Sequence, residues 1–221
     1  MRSFIDRVEW PPQIEGALIP ISRFLIIVGC ALALMEVGGI PAGWLTAFMG
    51  AGGAAVGFAS SRSIGNFIAG LYVLASRPFM VGDYVKIGNV EGVVKEITIN
   101  YTKIFTPLNT MVLLSNQEVL SKNITNFSLV EDGRKYYCYS FEVGFDHSVS
   151  SEKLHSLFEE LSSKYAKILP KRPEYAVTTM GRVERKYAFY LYFDRAEDVF
   201  TIQPKFLDEL IAGWEKAKAS G

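Results

Sequence analysis

Between Gly50 and Ser61 the chain reads Gly-Ala-Gly-Gly-Ala-Ala-Val-Gly-Phe-Ala-Ser-Ser, and ten of these twelve residues are Gly, Ala or Ser. The segment lies in a run from Val37 to Ser61 with no charged side chain. Few environments suit such a helix. A soluble core helix is driven by burial of large side chains, which are nearly absent here, and each Gly costs about 1 kcal/mol relative to Ala in water. In lipid the backbone must bond internally whatever the side chains, and small faces let helices approach closely. The segment is therefore expected to be a helix that packs against copies of itself.

The surroundings point the same way. Residues 17–78 carry only Arg23, Glu36, Arg62 and Arg77, and most of the 23 basic and 23 acidic residues follow them. Net charge is zero, so the chain lacks the basic excess of a nucleic-acid binder, and no nucleic-acid partner is expected. A first membrane helix is expected at Ala17–Val37, whose 21 residues would span roughly 30 Å. Its uninterrupted apolar core is Phe24–Met35, with Arg23 able to snorkel toward the headgroups. A buried soluble helix is the alternative for this segment. Met1–Gly16 is mixed polar with a break at Trp10-Pro11-Pro12, and its acidic residues do not fit a cleaved signal peptide.

An uncharged turn at Gly38–Gly43 leads to a second helix over Trp44–Ser61, with Trp44 as an interfacial anchor. Residues 63–75 continue helically. Ile64, Phe67, Ile68, Leu71, Leu74 and Ala75 form an amphipathic stripe, expected to lie along the membrane surface or to pack beneath it. Arg77-Pro78 should end the helix. Arg2 and Arg7 ahead of the first helix and Arg62, Arg77 and Lys86 after the second, with an uncharged turn between, place both termini in the cytoplasm by the positive-inside bias, the membrane being the plasma membrane.

From Phe79 the texture is that of strands, at Tyr84–Ile87, Val90–Thr98, Tyr101–Phe105 and Met111–Leu114, punctuated by Gly88-Asn89, Asn100 and Pro107-Leu108-Asn109. Ser115-Asn116 can cap a short helix through Leu120. Beyond it, Tyr136–Val143 is a strand. A helix capped by Ser150 or Ser151 runs to Ile168, with Leu154, Leu157, Phe158 and Leu161 on one face. Strands at Ala176–Met180 and Lys186–Phe193 and a helix at Pro204–Lys218 complete a ferredoxin-like α+β order. The fold class is thus an α-helical membrane part with cytoplasmic α+β domains. The parts are 1–43 (N-terminal segment and first membrane helix), 44–78 (apolar helix and amphipathic extension), 79–128 (small β domain) and 129–221 (α+β domain).

No enzyme chemistry is expected. The Gly-rich segment is an apolar helix and lacks the Lys of a phosphate loop. His147 and His155 stand without a Cys or carboxylate constellation at metal spacing, so no metal and no cofactor are expected. Cys30 and Cys138 read as small buried apolar residues rather than as a disulfide.

Residues 50–128 resemble the small-conductance mechanosensitive channel (MscS) family. The resemblance rests on an ordered set of motifs: the Gly/Ala helix, Asn66-Phe67-Ile68-Ala69-Gly70, Arg77-Pro78-Phe79, Gly82-Asp83-Tyr84-Val85, Val90-Glu91-Gly92-Val93-Val94 and Asn123-Ile124-Thr125-Asn126-Phe127-Ser128. It implies a homoheptamer whose Gly/Ala helices line one pore above a hollow vestibule with side portals. The small β domain would be Sm-like. It also implies opening by membrane tension and weakly selective passage of ions and small solutes to relieve hypo-osmotic stress. Membrane lipids and the permeating solutes are then the partners besides the chain itself.

By the same resemblance Ala54 and Phe58 align with the two constriction positions, and Phe58 is the only large aromatic side chain of the segment. A ring of Phe58 would close the pore by dewetting. Outward packing of Phe58 against lipid or the first helix is the other reading. Gly50, Gly53 and Gly57 would form a groove for the knobs Ala51, Ala55 and Ala59 of a neighbour. Gly65 and Gly70 are the candidate helix bends. Arg62 stands where relatives commonly have a small kink residue. It either anchors the helix at the membrane surface, against lipid phosphates or a helix C-terminus, or forms a ring of positive charge. Leu114-Ser115-Asn116 lacks the family's usual Pro, and the sequence after Trp214 lacks the strand that closes the vestibule floor in relatives. The sensor region ahead of the pore helix is short. A membrane-anchored heptameric scaffold, or a constitutive pore with weak or lost tension gating, is the alternative function.

Overall fold

The computed structural model describes residues 12–39 and 41–219. Arg2, Arg7, Trp10, Pro11 and Ile40, which entered the orientation and turn arguments, lie outside the described residues. Two long helices come first, α1 (Pro12–Val37) and α2 (Ala42–Ser76). The second helix and its expected continuation over 63–75 form one helix, α2, of 35 residues. Nothing in its sequence stops it before Arg77, which has a left-handed φ of 48° and precedes Pro78.

Among the described residues no helix is long and apolar enough to cross a membrane. That differs from the two spans expected at 17–37 and 44–61, the first of which lies partly outside the residues whose side chains are described. α2 has the length, but Gly, Ala and Ser make it weakly apolar and Arg62 interrupts it.

The chain divides into two compact units, Met1–Ser61 and Arg62–Gly221. Within the first, nearly every described side chain is exposed, from Phe24 and Leu34 to Val56 and Phe58. Cys30 is exposed as well, contrary to its reading as a buried residue.

The second unit holds two antiparallel sheets. Strands β1 (Tyr84–Ile87), β2 (Val90–Ile97), β3 (Tyr101–Phe105), β4 (Met111–Ser115) and β5 (Ile124–Asn126) pair in the order β4-β3-β2-β1-β5. Helix α3 (Asn116–Ser121) leaves β4 directly, with Ser115 as its N-cap accepting from the Glu118 N–H. Strands β6 (Ser128–Glu131), β7 (Arg134–Asp146), β8 (Glu174–Met180) and β9 (Glu184–Phe193) form the other sheet, in the order β6-β7-β9-β8. Helix α4 (Ser151–Tyr165), capped by Ser150, buries Leu154, Phe158 and Leu161 on it, and α5 (Val199–Ala219) buries Phe206 and Leu210.

Strand alternation joins the two sheets into one body. Val85 and Ile87 point into the core of the first sheet with Val73, Phe79, Val94, Ile104 and Val119. Tyr84, on the opposite face of β1, belongs to the second core beside Phe127, Tyr139 and Phe200. The Lys95–Glu197 ion pair at 2.8 Å ties β2 to the start of the last helical segment.

Candidate functional site

The segment singled out by the sequence is the middle of α2. Alanine-like bulk at Gly50, Gly53 or Gly57 would meet nothing within 4 Å. Ala51, Ala54, Ala55 and Ala59 are all exposed, and Phe58 is 82% exposed. Among the described residues they form a bare face, small except for Phe58. The Ser61 hydroxyl donates to the Phe58 carbonyl at 2.8 Å, so this polar side chain is satisfied within the helix and needs no water.

Below Arg62 the helix gains partners. Asn66 Oδ1 accepts the Gln117 N–H at 3.1 Å, and a Cβ on Gly65 would stand 3.1 Å from the Gln117 amide oxygen. Ala69 and Val73 are buried. At Gly70 a Cβ would overlap the carbonyl oxygen of Ile99, in the turn between β2 and β3, and come within 2.7 Å of Asn116 Nδ2. The glycines at 65 and 70, expected as bends, therefore sit where α2 meets α3 and the β2–β3 turn, and α2 is continuous through both.

Asn116 is the hub of this contact, and the sequence reading gave it only a capping role. It is fully buried. Its Nδ2 donates to the carbonyls of Thr98 (2.8 Å) and Ile99 (2.9 Å), and its Oδ1 accepts from the Thr102 hydroxyl at 2.9 Å. Its backbone N–H donates to the Asn100 carbonyl at 3.2 Å. One amide thus satisfies a tight turn whose carbonyls would otherwise be buried under α2. The sequence signal was a lone Asn between the apolar runs of β4 and α3.

Asp83, just ahead of β1, is a buried carboxylate. It is 1% exposed. Its carboxylate accepts from the Met80 N–H (2.8 Å), Asn126 Nδ2 (3.0 Å) and Lys135 Nζ (2.5 Å). Burial works against the Lys135 charge, but its bonding to Asp83 prevails and its pKa is raised. The Tyr84 phenol, donating to Glu91 at 2.9 Å, is pushed well up by burial and then by that carboxylate. Burial likewise pushes Tyr139 up to about 12. Lys135 therefore stays charged and the two phenols stay neutral at neutral pH. His147 and His155 are exposed. Among the described residues no group of His, Cys, Asp and Glu is placed to hold a metal ion.

Residues 62–129 match the family model described as the mechanosensitive ion channel β-domain. Over 146 residues the chain is 32% identical to an uncharacterized MscS family protein of Buchnera aphidicola subsp. Schizaphis graminum, covering 66% of this chain and 52% of that one. It is 34% identical over 149 residues to the small-conductance mechanosensitive channel MscMJ of Methanocaldococcus jannaschii, covering 66% and 41% respectively. The chain spans about half the length of the curated relatives it matches. In fold it is similar to the closed-state crystal structure of Helicobacter pylori MscS, with a TM-score of 0.61 at 16% identity, covering 94% of this chain and 81% of that one.

Proposed function

The chain is a member of the MscS family, and from that premise we propose that it is a subunit of a mechanosensitive channel. Seven copies line a pore with the middle of α2, and membrane tension opens it to ions and small solutes. The observation that carries this reading is the bare face of α2. Gly50, Gly53 and Gly57 have open space where a side chain would be, and Phe58 is exposed among residues that are otherwise small. A helix of this composition gains little from its own chain, so close packing between copies is what stabilises it. Phe58 closes the pore by excluding water from a narrow apolar ring, and Ala54 leaves the turn above it wide. Sliding of Gly grooves over Ala knobs lets the ring expand at small steric cost.

The exposed stripe of Ile64, Phe67, Ile68, Leu71 and Leu74 then meets the membrane, and the β-rich unit stands in the cytoplasm. The test is solute release. Cells lacking their own tension-gated channels should survive hypo-osmotic shock and lose small solutes when the protein is expressed. Absence of release from cells in which the heptamer is intact would favour a scaffold, a reading kept alive by Arg62 at the family's kink position.

A further inference from the structure

Arg62 is the only charged residue between Val37 and Ser76. It is exposed, and among the described residues it has no ion-pair partner. Helix α2 runs on to Ser76, so Arg62 is not near a helix C-terminus and has no terminal carbonyls to neutralise.

The direction of the side chain is set by the helix. At about 100° per residue, Asn66, Ala69 and Val73 lie within about 40° of Arg62 around the axis. Those three are the residues turned onto the β sheet and α3, with Asn66 bonded to Gln117 and Ala69 and Val73 buried. Ile64, Phe67, Ile68 and Leu71 lie between about 120° and 180° away, and all four are exposed. That exposed apolar face is the one suited to lipid. Arg62 projects from the opposite face, toward the side of the hydrophilic β-rich unit, and so away from the phosphates of a membrane covering the apolar stripe. It also follows Phe58 by one helical turn.

Resting on the channel reading above, we propose that Arg62 lines the cytoplasmic mouth of the pore, where a ring of guanidinium groups makes the channel prefer small inorganic anions such as chloride. The guanidinium is always protonated, so the ring keeps its charge at every working pH. Rings of like charge at a constriction select permeating ions by sign.

Reversal potentials of suction-activated currents in a potassium chloride gradient test this. The wild type and R62K should reverse toward the chloride equilibrium potential. R62Q should lose that displacement and R62E should move toward the potassium potential. The wild-type preference should also shrink as salt rises from about 0.1 M to about 1 M, because the screening length falls from about 10 Å to about 3 Å. Suction-activated current with the same reversal potential in wild type, R62Q and R62K would overturn the proposal and leave the channel reading standing. This comparison holds even if R62E fails to assemble. No suction-activated current from wild-type heptamers would overturn the channel reading and the proposal together.

Discussion

Gly70 of α2 and Ile99 of the β2–β3 turn touch through their backbones, with no room for a side chain between them. A Cβ at 70 would overlap the Ile99 carbonyl oxygen, and neither backbone is free to give way as a side-chain tip would. Gly70→Ala should therefore destabilise the unit over 62–221 by about 1–3 kcal/mol, the usual penalty of overpacking. Chemical denaturation of the purified protein reads it. A change below about 0.5 kcal/mol, typical of an unconstrained surface position, would show that the contact is not tight.

Gly53 offers the contrast. Nothing lies within 4 Å of a Cβ there, so Gly53→Leu should leave the stability of the single subunit near that of wild type. Its effect should appear between subunits, as a changed tension threshold or a failure to assemble. Unaltered assembly and threshold would remove Gly53 from the packing surface.

Asn116→Ala removes one amide and strands three partners, the carbonyls of Thr98 and Ile99 and the Thr102 hydroxyl. The expected loss is roughly 1–3 kcal/mol, the cost of leaving buried polar groups unpaired. Thr102→Val should cost less, and the double variant less than the sum of the two, because the residues share one bond. A strictly additive pair would contradict a common network.

Much of this architecture was legible in the sequence for reasons specific to each segment. β1 and β3 were read at their observed limits because β-branched and aromatic residues fill them between Gly, Asn and Pro punctuation. α4 was legible from Ser150 and the spacing of Leu154, Phe158 and Leu161. β5 and β6 were not, since Ile124–Asn126 and Ser128–Glu131 are too short to show a period and form by pairing with β1 and β7. α5 begins at Val199, ahead of the expected Pro204, and carries that Pro inside the helix. Nothing local revealed the burial of Asp83, whose Lys135 and Asn126 partners come from distant strands. Asn116 was hidden likewise, because its role depends on a turn and a helix that meet only in three dimensions.

Asp146 supplies a pH dependence. Its carboxylate accepts from the side chain and N–H of Ser148 and from Lys218 at 2.9 Å, at the end of α5. Those bonds, Ser148 first and Lys218 next, hold its pKa at about 2 against an ordinary 3.8. A depressed carboxylate stabilises the fold above its unfolded pKa and loses that contribution as pH falls toward the folded one. The melting temperature of wild type should thus exceed that of Asp146→Asn by a constant margin from neutral pH down to about 4, and the margin should vanish near 2. A margin that persists at the acid end would point to packing rather than charge.

The central claim is that the bare face of α2 is the wall of a tension-gated pore closed at Phe58. Single-channel recording of the reconstituted protein under suction, wild type beside Phe58→Ser, tests it most directly. Wild type should be silent at rest and conduct under suction, while Phe58→Ser, whose hydroxyl wets the ring, should conduct at lower tension or with none. Silence of wild type up to membrane rupture, or identical thresholds for the two proteins, would contradict the account.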